Sequence, residues 1–353
     1  MHPDRRRRDP KISRTVALDS QAVEDPTPDG KNIVTDPRHR LRQIRQVFET
    51  PLVKAGAFLI SRLPRGVVVR LAQGLGAVAY AISPKLRRVG RANLDLVFGS
   101  ERTDQEKRRI LRKSFENFSL VLLDLFWFSR NPRERILKYM RYGENADWLF
   151  CKKAQICLTG HMGNWELGGR AVSSRGTPLA SVALPLKNAA VDALLNQARE
   201  STGQTVIPRQ GAVKAMLKFL RQGGKVAMLL DHNTLPSEGG VFLDFFGLPA
   251  TVSVSTEALA FRTKAEILFV FCMPCKDGSY LTQISGRMDA STLSEASDRD
   301  RALTQHITRV YEKAIRQYPE QWLWTYKRWK YIRPGDDPAR YPFYAKPLKD
   351  HQL

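Results

Sequence analysis

Apolar residues recur along this chain in two alternating rhythms. From residue 155 onward, short apolar runs alternate with stretches of helical spacing. Ile156-Cys157-Leu158 lies in a predicted strand at 155–159, and a helix is predicted to begin near 165. Leu179 to Leu184 reads as the next strand, followed by a helix with Val191, Leu194, Leu195 and Ala198 on one face. A short strand at 204–207 precedes a helix bearing Val213, Met216, Leu217 and Leu220. Buried strands follow at 225–230 and 266–272, and a last helix uses Leu303, Ile307, Val310, Tyr311, Ala314 and Tyr318. Upstream, Thr103-Asp104-Gln105-Glu106 has the form of a capping box. Leu111, Phe115, Phe118, Leu122 and Leu125 continue it at helical spacing, and the helix should stop before Asn131-Pro132. Strands alternating with helices predict an α/β fold with a mainly parallel sheet flanked by helices and right-handed crossovers.

In such sheets the binding crevice opens at the carboxyl ends of the strands. His161 follows the first of these strands, Lys187 the second, Arg209 the third, and Asp231 with His232 the fourth. His161 is also five residues from Glu166, in His161-Met162-Gly163-Asn164-Trp165-Glu166. On one continuous helix these two would point about 140° apart. They meet only if the chain bends between them, with His161 on the turn and Glu166 in the first helical turn. Gly160 and Gly163 supply the backbone freedom. A carboxylate that holds an imidazole makes a better-oriented general base, and Glu166 is the expected holder.

Charge changes the picture at the other end. The 353 residues carry 57 Lys/Arg and 35 Asp/Glu, a formal net charge of +22. Residues 41–113 hold sixteen Lys/Arg against five Asp/Glu, so half of that excess lies there. The same region is apolar at Leu52-Val53, Ala57 to Ile60, Val67 to Val69 and Leu71 to Ile82, with Lys54, Arg62, Arg65 and Arg70 between. These charges break the run below the ~20 clean apolar residues of a membrane span. An amphipathic pair of helices lying on an anionic membrane surface is expected instead. The alternative is that the same helices pack on the body of the protein and their charges are solvated. Residues 1–40 are polar and proline-bearing, without the apolar core of a secretory signal, and are expected to be disordered on the cytoplasmic side. The divisions expected are thus a tail (1–40), a basic helical membrane-associating region (41–132), an α/β domain (133–335) and a C-terminal tail (336–353). Cys272-Met273-Pro274-Cys275 has redox or zinc spacing, but it ends an apolar strand, opens no helix and has no matching His. No metal or cofactor is expected from it.

Taken together, these blocks resemble the late acyltransferases of lipid A biosynthesis, within the wider glycerolipid acyltransferases that carry an H-x4-[D/E] motif. The similarity runs in order from about residue 50 to 332. Leu158 to Glu166 resembles the catalytic block, and Pro185-Leu186-Lys187-Asn188 and Ile207-Pro208-Arg209 the next two. Leu230-Asp231 with Gly239 to Phe242 and Phe245 to Thr251 resembles a fourth. Gln321-Trp322-Leu323-Trp324 with Lys327-Arg328-Trp329-Lys330 resembles the closing one, and Arg91-Ala92-Asn93-Leu94 fits the N-terminal part.

The resemblance implies a peripheral enzyme on the cytoplasmic face of the inner membrane. It would move a fatty acyl group from an acyl carrier protein, or from coenzyme A, to a hydroxyl of a lipid A precursor or related lipid, with no metal. His161 would then be the general base and Glu166 its orienting partner. Asn164, Lys187, Arg209 and Asp231 would be substrate-binding, with Asp231 organising a basic neighbour. Phe242, Phe245 and Phe246 are acyl-channel candidates. Three positions depart from the family pattern. Ala183 and Leu184 stand where an Arg commonly precedes the second block's Pro, His232 where Gln usually follows the acidic residue, and Tyr326 where a His is usual. The acceptor is therefore open to a glycolipid or phospholipid other than the lipid A precursor. Two other classes compete. A basic nucleic-acid-binding protein would explain the charge but leaves His161 and Glu166 without a role, so no nucleic-acid partner is expected. An acyltransferase-fold scaffold without activity would explain the altered positions.

Overall fold

In the computed structural model, residues 51–352 are described, apart from 52, 184, 186, 187 and 290–300. The expected tail at 1–40 and Lys187 lie outside the described residues. Helix α1 (53–60) leads into α2 (Arg65–Ile82), α3 (Pro84–Phe98), α4 (Asp104–Trp127) and α5 (Pro132–Tyr139). The capping box is formed. Thr103 Oγ1 accepts from Glu106 N at 3.2 Å, and the Glu106 carboxylate accepts from Thr103 N at 2.8 Å.

A seven-stranded sheet follows, built from β1 (Met140–Tyr142), β2 (Gln155–Thr159), β3 (Leu179–Ala183), β4 (Thr205–Pro208), β5 (Lys225–Leu229), β8 (Glu266–Pro274) and β9 (Tyr280–Met288). Its order is β1-β9-β8-β2-β5-β3-β4. Neighbours from β8 through β4 are parallel, while β9 turns back antiparallel on β8 and pairs in parallel with β1. Strand β2 lies at the centre, between β8 and β5. This explains why its apolar run is continuous rather than alternating, because a central parallel strand is covered on both faces. Ile156 and Leu158 face one layer with α9 (Ala212–Arg221), α10 (Ser255–Thr263) and α11 (Ala302–Gln317). Cys157 faces the other, with α6 (Ala146–Phe150) and α7 (Trp165–Ser174). Each such fully buried aliphatic side chain contributes about 1.5–3 kcal/mol by leaving water.

The periodicities predicted strands β2 to β5 and β8 and helices α4, α7, α9 and α11 to within a residue or two, and named no element at β1, α5, α6 or α10. They missed β9, whose sequence alternates polar and apolar because it lies towards the sheet's edge. They also missed the antiparallel hairpin of β6 (Gly240–Phe245) and β7 (Leu248–Ser253). The C-terminal segment is packed rather than a free tail. β10 (Tyr331–Ile332) pairs with β11 (Lys346–Pro347), and the buried Tyr344 hydroxyl donates to Asn93 Oδ1.

No single described helix is long and apolar enough to cross a membrane. Helices α2 and α3 reach that length only together, and they are bent by 94°. Their solvent side carries Val67, Leu71, Leu75, Val78, Ile82 and Leu86, all exposed, with Phe58 and Leu59 of α1 and Leu122 of α4. Arg62, Arg70, Lys85 and Arg88 are exposed in the same segments.

Candidate active site

The site is assembled from the turns that follow β2 and β5. These strands pair in register, Thr159 opposite Leu229, so residues two places beyond each strand arrive side by side. They are His161 and Asp231. His161 Nδ1 lies 2.8 Å from Asp231 Oδ1, and the backbone N–H of His161 donates to Asp231 Oδ2 at 2.7 Å. Trp322 Nε1 donates to the same Oδ2 at 3.0 Å. Gly160 permits the approach, because a Cβ there would stand 3.0 Å from Asp231 Oδ2.

Asp231 is buried, which by itself would raise its pKa. The charge of His161 and its hydrogen bonds outweigh that, and the carboxyl is held well below the usual carboxylate range. An anionic carboxylate only accepts hydrogen bonds, so His161 carries its proton on Nδ1. In the neutral form of the ring the lone pair is then on Nε2.

Glu166, the expected holder of His161, has a different partner. It begins α7 and forms a two-point pair with Arg199, at 2.7 and 3.0 Å. Arg199 comes from α8 (Ala189–Glu200). The bend predicted between His161 and Glu166 is present, but the carboxylate on the imidazole arrives from the neighbouring strand. This corrects the expected partner of His161. Asp231 holds the histidine, and Glu166 holds Arg199.

Asn164 does not face the crevice either. It is 1% exposed, its Oδ1 accepts from Leu167 N at 3.0 Å, and its Nδ2 donates to Asp124 Oδ2 at 3.1 Å. A substrate contact is therefore corrected to a helix cap. Arg209 is exposed after β4 and pairs with Glu238 at 3.0 Å.

The three phenylalanines belong to the hairpin. Phe245 is buried against Trp329 and Trp322, and its carbonyl accepts from Trp329 Nε1. Phe246 has φ +56° and its backbone N–H donates to Glu312. Phe242 is half-buried on β6. They anchor the β6–β7 hairpin, and Phe245 also borders a small cavity beside Leu230 and Asp231. Apolar space also lies between α7 and the sheet, a narrow cavity bounded by Trp165, Gly168, Gly169, Cys157, Ala227 and Val270. Its wall residue Trp165 stands edge-on to the His161 ring, with centroids 4.8 Å apart.

The sequence reading missed how the closing block serves the site. Gly163 N donates to Gln321 O, and Leu323 N donates to His161 O, so residues 321–323 lie against the His161 turn. Tyr326 Oη accepts from Asn233 N, and the buried Arg328 donates to Asn233 Oδ1. One segment thus clamps both turns. The tryptophan and basic-aromatic pairs of that block were visible in the sequence, but nothing local to them says which turns they touch. The His232 ring is tilted by 41° against that of His161, with centroids 4.1 Å apart, and its centroid is 5.3 Å from that of the Tyr326 ring. Packing on that side, then the nearby His161 charge, push its imidazole down to about 4.

Comparison with known proteins covers the stretch that holds these residues. A family described as bacterial lipid A biosynthesis acyltransferase matches residues 37–331. The chain belongs to this family. The match spans the helices α2 to α4, every strand of the central sheet, and His161, Glu166 and Asp231 alike. Relatives include the lipid A biosynthesis lauroyltransferase of Escherichia coli (strain K12), 28% identical over 80% of this chain and 92% of the relative. The lipid A biosynthesis palmitoleoyltransferase of the same organism is 25% identical, over 79% and 90%. The phosphatidylinositol mannoside acyltransferase of Mycolicibacterium smegmatis (strain ATCC 700084 / mc(2)155) is 26% identical, over 76% and 88%. The protein is an acyltransferase of this family. Among the described residues, no group of three or more His, Cys, Asp or Glu is placed to hold a metal ion.

Proposed function

We propose that this acyltransferase moves a fatty acyl chain from a thioester, on acyl carrier protein or coenzyme A, to a hydroxyl of a membrane glycolipid. The observation that carries the reading is the His161–Asp231 pair at 2.8 Å, which frees Nε2 at the carboxyl end of the central strand. Nε2 takes the proton of the acceptor hydroxyl as its oxygen bonds to the thioester carbonyl carbon. The tetrahedral oxyanion then collapses, the C–S bond breaks, and the leaving thiolate takes the proton back from the imidazolium. General-base assistance supplies about 10²–10⁴ of the rate, and proximity with oxyanion stabilisation supplies the rest.

The acceptor is proposed to be a lipid A precursor or a related glycolipid. The relatives are named for lipid A and for a phosphatidylinositol mannoside, so glycolipid acceptors run through the comparisons. His232 and Tyr326 stand where the family usually has Gln and His, and they lie together beside His161. Acceptor choice is assigned to this pair, with Lys187 and Arg209 as anion contacts. The acyl chain is assigned to the seam under α7, beginning at Trp165. The enzyme is proposed to work at the cytoplasmic face of the inner membrane, held by the exposed apolar row of α1 to α3 and its arginines and lysines.

The test is lipid mass spectrometry of cells lacking the gene, complemented by wild type or His161→Ala. Wild type should restore one acyl chain to a glycolipid, and His161→Ala should not. Unchanged lipids in the deletion strain, or restoration by His161→Ala, would overturn the reading.

A further inference from the structure

Behind the His161 turn lies a buried polar cluster that, among the described residues, shares no side-chain hydrogen bond with His161, Asp231 or Glu166. Its centre is Asp124 of α4, 2% exposed. Arg65, the first residue of α2, grips this carboxylate with both terminal guanidinium nitrogens, and its Nε donates to Gly278 O at 2.7 Å. Tyr280, the first residue of β9, donates its hydroxyl to Asp124 Oδ2. Asn164 Nδ2 donates to that same oxygen at 3.1 Å and reaches Tyr280 Oη at 3.3 Å. The other end of the Asn164 side chain caps α7, and its backbone N–H donates to Cys272 O at 2.8 Å. Next to it, Gly163 has φ +60°, and a Cβ there would fall 2.1 Å from Cys272 O.

A cap needs only one oxygen for the free N–H groups of the first turn, and a serine would supply it. Stability does not require the cluster either. Taking an arginine and an aspartate out of water costs several kcal/mol per ion, and well-packed apolar residues would serve the fold as well. What the cluster adds is direction. The amide of Asn164 is specified at both ends, so its plane is fixed, and with it the point where α7 starts. His161 stands three residues before that point and Glu166 two after. The burial of Tyr280, then the Asp124 charge, raise its pKa well above the ordinary value, so it stays a donor.

We propose that Arg65, Asp124 and Tyr280 are positioning residues. Through Asn164 they set the geometry of the turn between His161 and Glu166, and they tie that turn to helix α2. The link has a direction of interest, because α2 is also the helix whose outer face carries Val67, Leu71, Leu75 and Val78. A displacement of α2 on its apolar side is thereby felt at the start of α7.

The proposal is tested on the full-length protein with Asn164→Ser, which keeps a capping oxygen but loses the Nδ2 donor. Tyr280→Phe is its milder companion, and Arg102→Gln, in an exposed pair with Glu106, is the control. Two readouts are combined: hydrogen exchange of peptides covering 162–172, and steady-state thioester cleavage with lauroyl-CoA and lauroyl-acyl carrier protein. In Asn164→Ser, amides at the start of α7 should exchange about tenfold faster or more. Turnover per folded molecule should fall on the order of 10- to 100-fold, with the donor KM changed less than about threefold. Tyr280→Phe should move both in the same direction by a smaller factor, and it decides the matter if Asn164→Ser does not fold. Wild-type exchange and wild-type kcat in the folded variants would reduce the cluster to core packing and overturn the proposal. The kinetic arm rests on the acyl-transfer reading. If wild type cleaves neither thioester that reading is in trouble, while the exchange arm still decides this one.

Discussion

The Nδ1 of His161 and its own backbone N–H fall on the two different oxygens of Asp231, at 2.8 and 2.7 Å. One carboxylate therefore fixes both the ring and the peptide that carries it. Rotating the imidazole away breaks one bond, and flipping the peptide breaks the other. Asp231→Asn should keep the fold and lower turnover by about 10²–10⁴, because an amide can place an N–H where the ring needs an acceptor. Initial rates with purified variant give the number. A loss below tenfold would show that the carboxylate is dispensable to the histidine.

The same carboxylate predicts how stability responds to acid. Its pKa is lower folded than unfolded, so it contributes stability that is present above the unfolded value of about 3.9 and lost as pH falls below it. The Tm of wild type should drop as pH is lowered from 5 to 3. The slope should be shallower in Asp231→Asn, by thermal melts across that range.

His232 has the opposite logic. Its imidazole is pushed down to about 4, first by burial and then by His161. The unfolded chain takes up that proton first, near pH 6.5, so stability falls as pH drops from about 6.5 towards 4. Since the ring is exposed on its open side, the effect is smaller than the shift alone implies. His232→Gln should remove this part of the slope. Melts at pH 7, 5.5 and 4.5 on both proteins test it, and parallel curves would sink the idea.

Glu166 and Arg199 are joined at two points with side chains mostly enclosed, so each leaves the other unpaired when removed. Glu166→Gln and Arg199→Met should each lower turnover, on the order of 10²-fold if the start of α7 moves by an ångström. The double variant should lose little more than either single one. Additive losses would mean that the two act separately, for instance with Glu166 on substrate.

Membrane attachment should depend on the apolar row rather than on charge alone. Val78→Asp, on an exposed face of α2, should weaken cosedimentation with phosphatidylglycerol vesicles at least as much as doubling the salt does for wild type. Unaltered binding of Val78→Asp would move the contact elsewhere.

Much of the fold was legible because the sheet's centre is buried on both sides. Runs such as Ile156-Cys157-Leu158 have no polar interruption to confuse the reading, and Thr103 with Glu106 marks a helix start without tertiary help. Strand β9 was illegible for the converse reason. Its Leu281, Gln283 and Ser285 border a solvent-filled recess beside α11, so its pattern is mixed. Within the site, His161 and Asp231 were both singled out, but their pairing was assigned to Glu166, the carboxylate nearer in sequence. Proximity along the chain was the wrong guide, since the relevant distance is set by adjacent strands seventy residues apart. Asp124 and Tyr280 carried no local signal at all, and Trp322 was visible only as part of the closing block. Each matters through a partner at least forty residues away.

The pairing of β2 with β5 has a consequence for how this enzyme tolerates length changes. Each step along a strand is about 3.3 Å, which is longer than the whole His161–Asp231 hydrogen bond. Substitutions inside either strand leave the spacing intact so long as the ladder forms. A single residue inserted or deleted between 155 and 161, or between 225 and 231, would slide one turn past the other and separate the two groups completely. These two intervals are thus counted in whole residues.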